Sequence, residues 1–203
     1  MAALTGVALL LQLAISLQLA ESRGQGPALG LLVYLGFFTV VANLLVALSL
    51  SVLLAAPRSG AGRVAASPHV ATALATGILF VGVAYHVLLG ALFDVDGLHR
   101  IAHLCLHYVT PAVYLAVWFL FVPKGGLRLG HVPRWTLYPL AYGLYVLVRG
   151  ELTGLYPYPF VDVGRLGYGR VALHTAMILG SFMGLAALLL TAGRALDPGD
   201  PVR

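Results

Sequence analysis

Six stretches of apolar residues, interrupted only by isolated polar positions, divide the chain. They run over about 4–20, 29–55, 68–92, 98–122, 135–148 and 168–193. An α-helix of about 20 apolar residues, rising about 1.5 Å per residue, is long enough to cross a hydrocarbon core about 30 Å thick. The pattern therefore predicts an all-α, polytopic integral membrane protein: one domain, 1–203, of six transmembrane helices joined by short segments rich in Arg, Pro and Gly. The first run ends at Ala20 before polar Glu21 and Ser22, as a secretory signal does. No Lys or Arg precedes it, and a signal has a basic start, so a retained helix is expected. The fifth run is short and contains Pro139.

Composition agrees with this reading. Of 203 residues, 60% are hydrophobic and 9% are charged, whereas soluble domains carry about 25% charged residues. A soluble globular chain is excluded, as is a disordered one, which needs low hydrophobicity and high charge. The net charge is +5, but the 12 Lys and Arg stand singly at the ends of the runs. Nucleic-acid binding, which needs a basic patch, is not expected. Basic residues so placed act as topology determinants. With six crossings, Arg58, Arg63, Lys124, Arg128, Arg134, Arg194 and Arg203 share one side, against Arg23, Arg100, Arg149, Arg165 and Arg170 on the other. The bias places both termini in the cytoplasm of a plasma-membrane protein. Glu21, Asp94, Asp96, Glu151 and Asp162 fall on the outer side. The single Cys105 excludes an internal disulfide and a Cys-based zinc ribbon.

In lipid the informative residues are the polar ones within spans, because each costs free energy unless it is paired or lines a cavity. Measured from the outer side at about 1.5 Å per residue, Thr39 lies roughly 15 Å deep, with Asn43 one turn further in. His103 and His107 lie roughly 8 and 14 Å deep, and His86 and His174 roughly 9 Å. Arg149 and Glu151 close the fifth run on the same side. The inner half is expected to hold nothing comparable.

Two chemistries suit this set. In one, Thr39 is a nucleophile and His107 the general base that takes its proton, with the Asn43 amide stabilising the oxyanion and His103 in support. In the other, His86, His103, His107 and His174 ligate a metal. No carboxylate lies within the spans to orient such ligands, which ranks the metal second; no metal and no cofactor is expected. A third reading keeps the cavity and drops the chemistry: a lipid-binding or transport protein. Without an intramembrane Asp or Glu, this chain makes a poor proton-coupled carrier. The segment 153–160 pairs Tyr156 and Tyr158 each with a following Pro. It reads as an aromatic loop at the interface, or as a mouth over the cluster that holds an amphiphilic lipid substrate. Arg149 and Arg170 flank it and suit a substrate carboxylate or a lipid phosphate.

Three segments resemble the androgen-induced and androgen-dependent multi-pass membrane proteins and their bacterial relatives. Phe37-Phe38-Thr39-Val40-Val41-Ala42-Asn43 resembles that family's threonine-bearing helix. His103-Leu104-Cys105-Leu106-His107-Tyr108-Val109-Thr110-Pro111 is similar to its histidine-bearing helix, and Val148-Arg149-Gly150-Glu151-Leu152-Thr153-Gly154-Leu155-Tyr156-Pro157-Tyr158-Pro159-Phe160 to its loop. The resemblance covers about 29–171. It implies a multi-pass hydrolase of fatty acid esters with a threonine nucleophile, Thr39, and a histidine, His107. Short loops and an Ala-, Gly-, Leu- and Arg-rich composition depart from the eukaryotic members and suggest a bacterial protein.

Overall fold

The computed structural model describes residues 1–90 and 95–196; Asp94, the end of the third run at Leu92, and the tail with Arg203 lie outside them. Every regular element among the described residues is helical. In chain order they are α1 (Ala2–Ser22), α2 (Gly26–Leu35), α3 (Phe38–Ala55), α4 (Gly60–Ala65), α5 (Pro68–Ala84), α6 (Gly97–Leu104), α7 (Thr110–Phe121), α8 (Val132–Trp135), α9 (Leu137–Thr153) and α10 (Val163–Ala195). A π-helical turn, Tyr85–Leu89, prolongs α5, and another, Cys105–Val109, joins α6 to α7. Five of the described helices are long and apolar enough to cross a membrane: Ala2–Ser22, Phe38–Ala55, Pro68–Leu88, Gly97–Phe121 and Val163–Ala195.

The second apolar run is not one helix. At Gly36 and Phe37 the chain leaves the helical register: Phe37 is extended (φ −89°, ψ 130°), and α3 starts afresh at Phe38. Hydropathy is blind to this break, because the residues on both sides are equally apolar. The fifth run becomes α9, 17 residues from Leu137. Pro139 sits in its first turn, where a missing N–H costs no helical hydrogen bond. Gly154 in the left-handed region (φ 71°) ends the helix. In α10, Gly167 (φ 73°, ψ 158°) kinks the chain, so the straight apolar segment begins one residue later, at 168 as the pattern predicts.

α5 is the most enclosed crossing, with half of its apolar window buried. It packs against α3, α7 and α10, while α1 lies along both α2 and α3. Lipid offers helices no hydrophobic drive to associate, so small residues and interhelical hydrogen bonds carry the packing. Thr5 Oγ1 and Thr110 Oγ1 meet at 3.2 Å, and the Tyr34 hydroxyl donates to Leu9 O at 3.1 Å. Trp118 Nε1 donates to Thr72 Oγ1 at 2.9 Å. Thr72 and Thr76 are fully buried near the start of α5, and Lys124 is buried under α7, where its Nζ donates to Phe119 O. The half expected to be the inner one is therefore not clean, contrary to the expectation from the sequence. Its threonines hide by donating to carbonyls one turn back on their own helix, Pro68 O and Thr72 O.

Candidate functional site

The site grows from two local irregularities. The first is the restart of the helix at Phe38. The leading N–H groups of any helix lack partners within it and sit at the positive end of its dipole. No side chain of the N-cap residue closes this end. Phe38 N donates to the Tyr158 hydroxyl at 3.0 Å, and Thr39 is the next residue. The break thus places Thr39 in the first turn of α3, and not at the middle of a continuous helix.

The second irregularity is the π-helical turn before Pro111. Thr110 N bonds Cys105 O, five residues back. In that register Pro111, which has no N–H, leaves Leu106 O open. Asn43 fills the gap: its Nδ2 donates to Leu106 O at 3.2 Å and to Thr39 O at 2.8 Å. Expected to face an oxyanion, the Asn43 amide instead has both its protons on backbone carbonyls, and its side chain is fully buried. It clips the first turn of α3 to the histidine-bearing turn.

This clip brings Thr39 and His107 together. Thr39 Oγ1 lies 3.2 Å from His107 Nε2, and His107 Nδ1 lies 2.9 Å from His103 O. A carbonyl oxygen only accepts, so Nδ1 carries the proton. In the neutral ring Nε2 then presents its lone pair to the Thr39 hydroxyl. The imidazole is buried and stacked on the Tyr85 ring, with centroids 3.9 Å apart and planes at 27°. The Tyr85 hydroxyl in turn reaches His103 Nδ1 at 3.3 Å. His103 stands between His99 and His107, ring centroids 4.8 and 5.1 Å away.

The other candidates separate. His86 is exposed and meets the Tyr108 hydroxyl at 3.3 Å. His174 Nδ1 donates to Phe160 O at 2.9 Å, which ties α10 to the aromatic loop. Those two therefore do not converge with His103 and His107 on one centre. Among the described residues no three His, Cys, Asp or Glu side chains are grouped as metal ligands. Arg149 is buried; it donates from Nη1 to Leu32 O at 2.8 Å, in the last turn of α2, and from Nη2 to Leu155 O at 2.9 Å. A cation at a helix C-terminus is stabilising there, and this one holds the α2 end and the loop in one place. Arg170 is exposed on α10. Tyr156 packs its ring on Gly150, where no Cβ would fit, and bonds Glu151. Tyr158 alone of the loop tyrosines enters the site, where its hydroxyl interacts with Thr39 and Tyr142. Burial pushes its phenol above the ordinary tyrosine range, so it is a neutral hydrogen-bonding group.

Two cavities meet here. One of about 200 Å³ opens between α1, α2 and α6 and reaches Thr39, His103 and His107. The other, about 100 Å³, lies between α5, α9 and α10. Thr39, Tyr85 and Tyr158 line both. Tyr85 and His99 are absent from the set expected from sequence. For His99 the signal was present, since 99, 103 and 107 repeat every four residues; for Tyr85 it was absent, because stacking across helices leaves no spacing to read. No protein-family model, curated protein or solved structure matches this chain.

Proposed function

We propose that the protein is an integral membrane hydrolase of fatty acyl esters, with Thr39 as nucleophile and His107 as general base. One observation carries this reading. A threonine hydroxyl and an imidazole of defined tautomer lie at hydrogen-bonding distance at the wall that two cavities share. A hydroxyl is a weak nucleophile at its own pKa and needs such a base. An ester has two arms flanking its carbonyl, and in this reading one lies in each cavity.

In the proposed reaction Thr39 Oγ attacks the ester carbonyl as its proton passes to His107 Nε2. The oxyanion forms at the N-terminus of α3, against its leading N–H groups and the Tyr158 hydroxyl. Collapse expels the alcohol, which takes the proton from Nε2. Water, activated by the same nitrogen, then releases the fatty acid. The Tyr85 ring stacked on the imidazole, and the bond from His107 Nδ1 to His103 O, hold the base in place. Support also comes from the three segments that resemble the androgen-induced membrane proteins.

The same proposal includes a plasma-membrane location, an amphiphilic lipid as substrate and α9 as a sixth crossing. Its 17 residues span about 26 Å, close to the thickness of a hydrocarbon core. A lipid-analogue fluorophosphonate tests the chemistry. The purified protein in detergent is expected to be labelled, and Thr39→Ala and His107→Ala to lose the label. Labelling that survives Thr39→Ala overturns the nucleophile assignment.

A further inference from the structure

The two cavities that share Thr39 differ in character. Apolar surface dominates each, but the larger also carries polar side chains, among them Ser16, Arg23, Gln25 and His99, and is the side on which the proposal below brings water. The smaller is walled by Phe80, Ile178, Leu179 and Phe182, and only the groups at the shared wall, with Tyr142 and Thr175, bring polarity to it. A molecule held there with an oxygen at Thr39 is an apolar alcohol.

We propose that the protein is also an acyltransferase, moving a fatty acyl group from one alcohol to a second long-chain alcohol that enters through the smaller cavity. This rests on the acyl-threonine chemistry proposed above. By microscopic reversibility, a site that expels an alcohol from an acyl-threonine also admits an alcohol to attack it. The donor ester lies with its acyl chain in the larger cavity and its alkoxy arm in the smaller one. The bond between Thr39 Oγ and the acyl carbon forms, the bond to the alkoxy oxygen breaks, and the threonine proton leaves on that oxygen by way of His107 Nε2.

The acyl chain then stands between the new ester and the polar side of the site, and in this proposal the second alcohol enters the smaller cavity from the bilayer. That alcohol's oxygen bonds the acyl carbon, its proton passes to Nε2, and the bond to Oγ breaks as Thr39 recovers a proton. One ester is consumed and one is made. No oxidant, reductant or further reactant is required. Transfer prevails over hydrolysis because the acceptor is positioned against the acyl carbon whereas water must pass the acyl chain.

The full chain in phosphatidylcholine vesicles, given para-nitrophenyl decanoate and dodecanol, separates the outcomes. Nitrophenol release, read by absorbance, reports acylation of Thr39; mass spectrometry reports dodecyl decanoate and decanoic acid. Dodecyl decanoate is expected as the main product, in an amount that rises with dodecanol and is lost in Thr39→Ala. Nitrophenol release with decanoic acid alone overturns the transfer and leaves the hydrolase reading standing. Release no faster than in Thr39→Ala overturns both. Gly143 lines the smaller cavity, and a Cβ at this position would meet open space. Gly143→Leu is therefore expected to lower the ratio of ester to acid at least about tenfold by displacing the acceptor. An unchanged ratio overturns the smaller cavity as the acceptor's route.

Discussion

Tyr85 shows how much of the site depends on a side chain that carries no charge and no nucleophile. Its ring lies flat on His107, its hydroxyl reaches His103, and it lines both cavities. Tyr85→Phe keeps the stack and is expected to retain most of the turnover. Tyr85→Ala frees the imidazole and is expected to lower kcat about tenfold to a hundredfold with a smaller change in KM, measured on a chromogenic ester. Equal kcat in both variants would show that the stack does not position the base. Asn43 acts through the backbone. Removing its amide in Asn43→Ala leaves Leu106 O without that partner; hydrogen bonds between membrane helices are individually modest, so a loss on the order of 1 kcal/mol is expected in detergent unfolding. The nearness of Thr39 to His107, 3.2 Å, was expected from a depth counted along an unbroken second run, although that run breaks at Phe37. The commitment of Asn43 to Leu106 O was not, because it follows from a register shift that Pro111 imposes on a different helix.

At the scale of elements, the restart of the helix at Phe38 turns an ordinary threonine into the second residue of a helix N-terminus. Gly36 at the break lies against the Arg149 guanidinium, and a Cβ there collides with it. Gly36→Ala is expected to displace Arg149 from Leu32 O and Leu155 O, to loosen the loop that carries Tyr158, and to reduce both stability and fluorophosphonate labelling. Normal labelling in Gly36→Ala would separate the loop anchor from the site. The loop on the opposite end gives a pH-dependent expectation. Partial burial, with His69, Arg134 and Arg128 nearby, holds the His131 imidazole below its ordinary value. Its neutral form accepts from Arg128 N at 3.0 Å. A lowered folded-state pKa contributes stability above the unfolded value near 6.5 that is lost as pH falls. Melting in detergent is therefore expected to drop between about pH 7.5 and 5.5, and to drop less in His131→Gln. An identical drop in the variant would remove His131 as the cause.

Across the whole molecule, the described helices arrange a polar cluster in a bundle whose outside is apolar. Five helices have the length and apolarity to cross, and α9 falls short of them in length. If α9 crosses as proposed, both termini share one side of the membrane. Cysteine residues introduced near each end of a Cys105→Ser chain are then expected to react with an impermeant maleimide from the same side, and reaction from opposite sides would remove the sixth crossing.

The helical class and most of the long helices apolar enough to cross a membrane were determined by sequence alone, because transfer into lipid adds up residue by residue along a run. Pro139 and Gly167 show the same locality: each acts within one turn of its own position. What only the tertiary structure decided is which polar groups face one another. Rotation of each helix, the break at Phe38 and the π-helical turn before Pro111 set those pairings, and each depends on neighbours distant in the chain. Arg149 and His103 lie on the same side by sequence, yet the structure turns one to a helix end and the other edge-on to the Tyr85 ring. In lipid a buried polar group is costly without a partner, and which partner lies near is a property of the folded bundle.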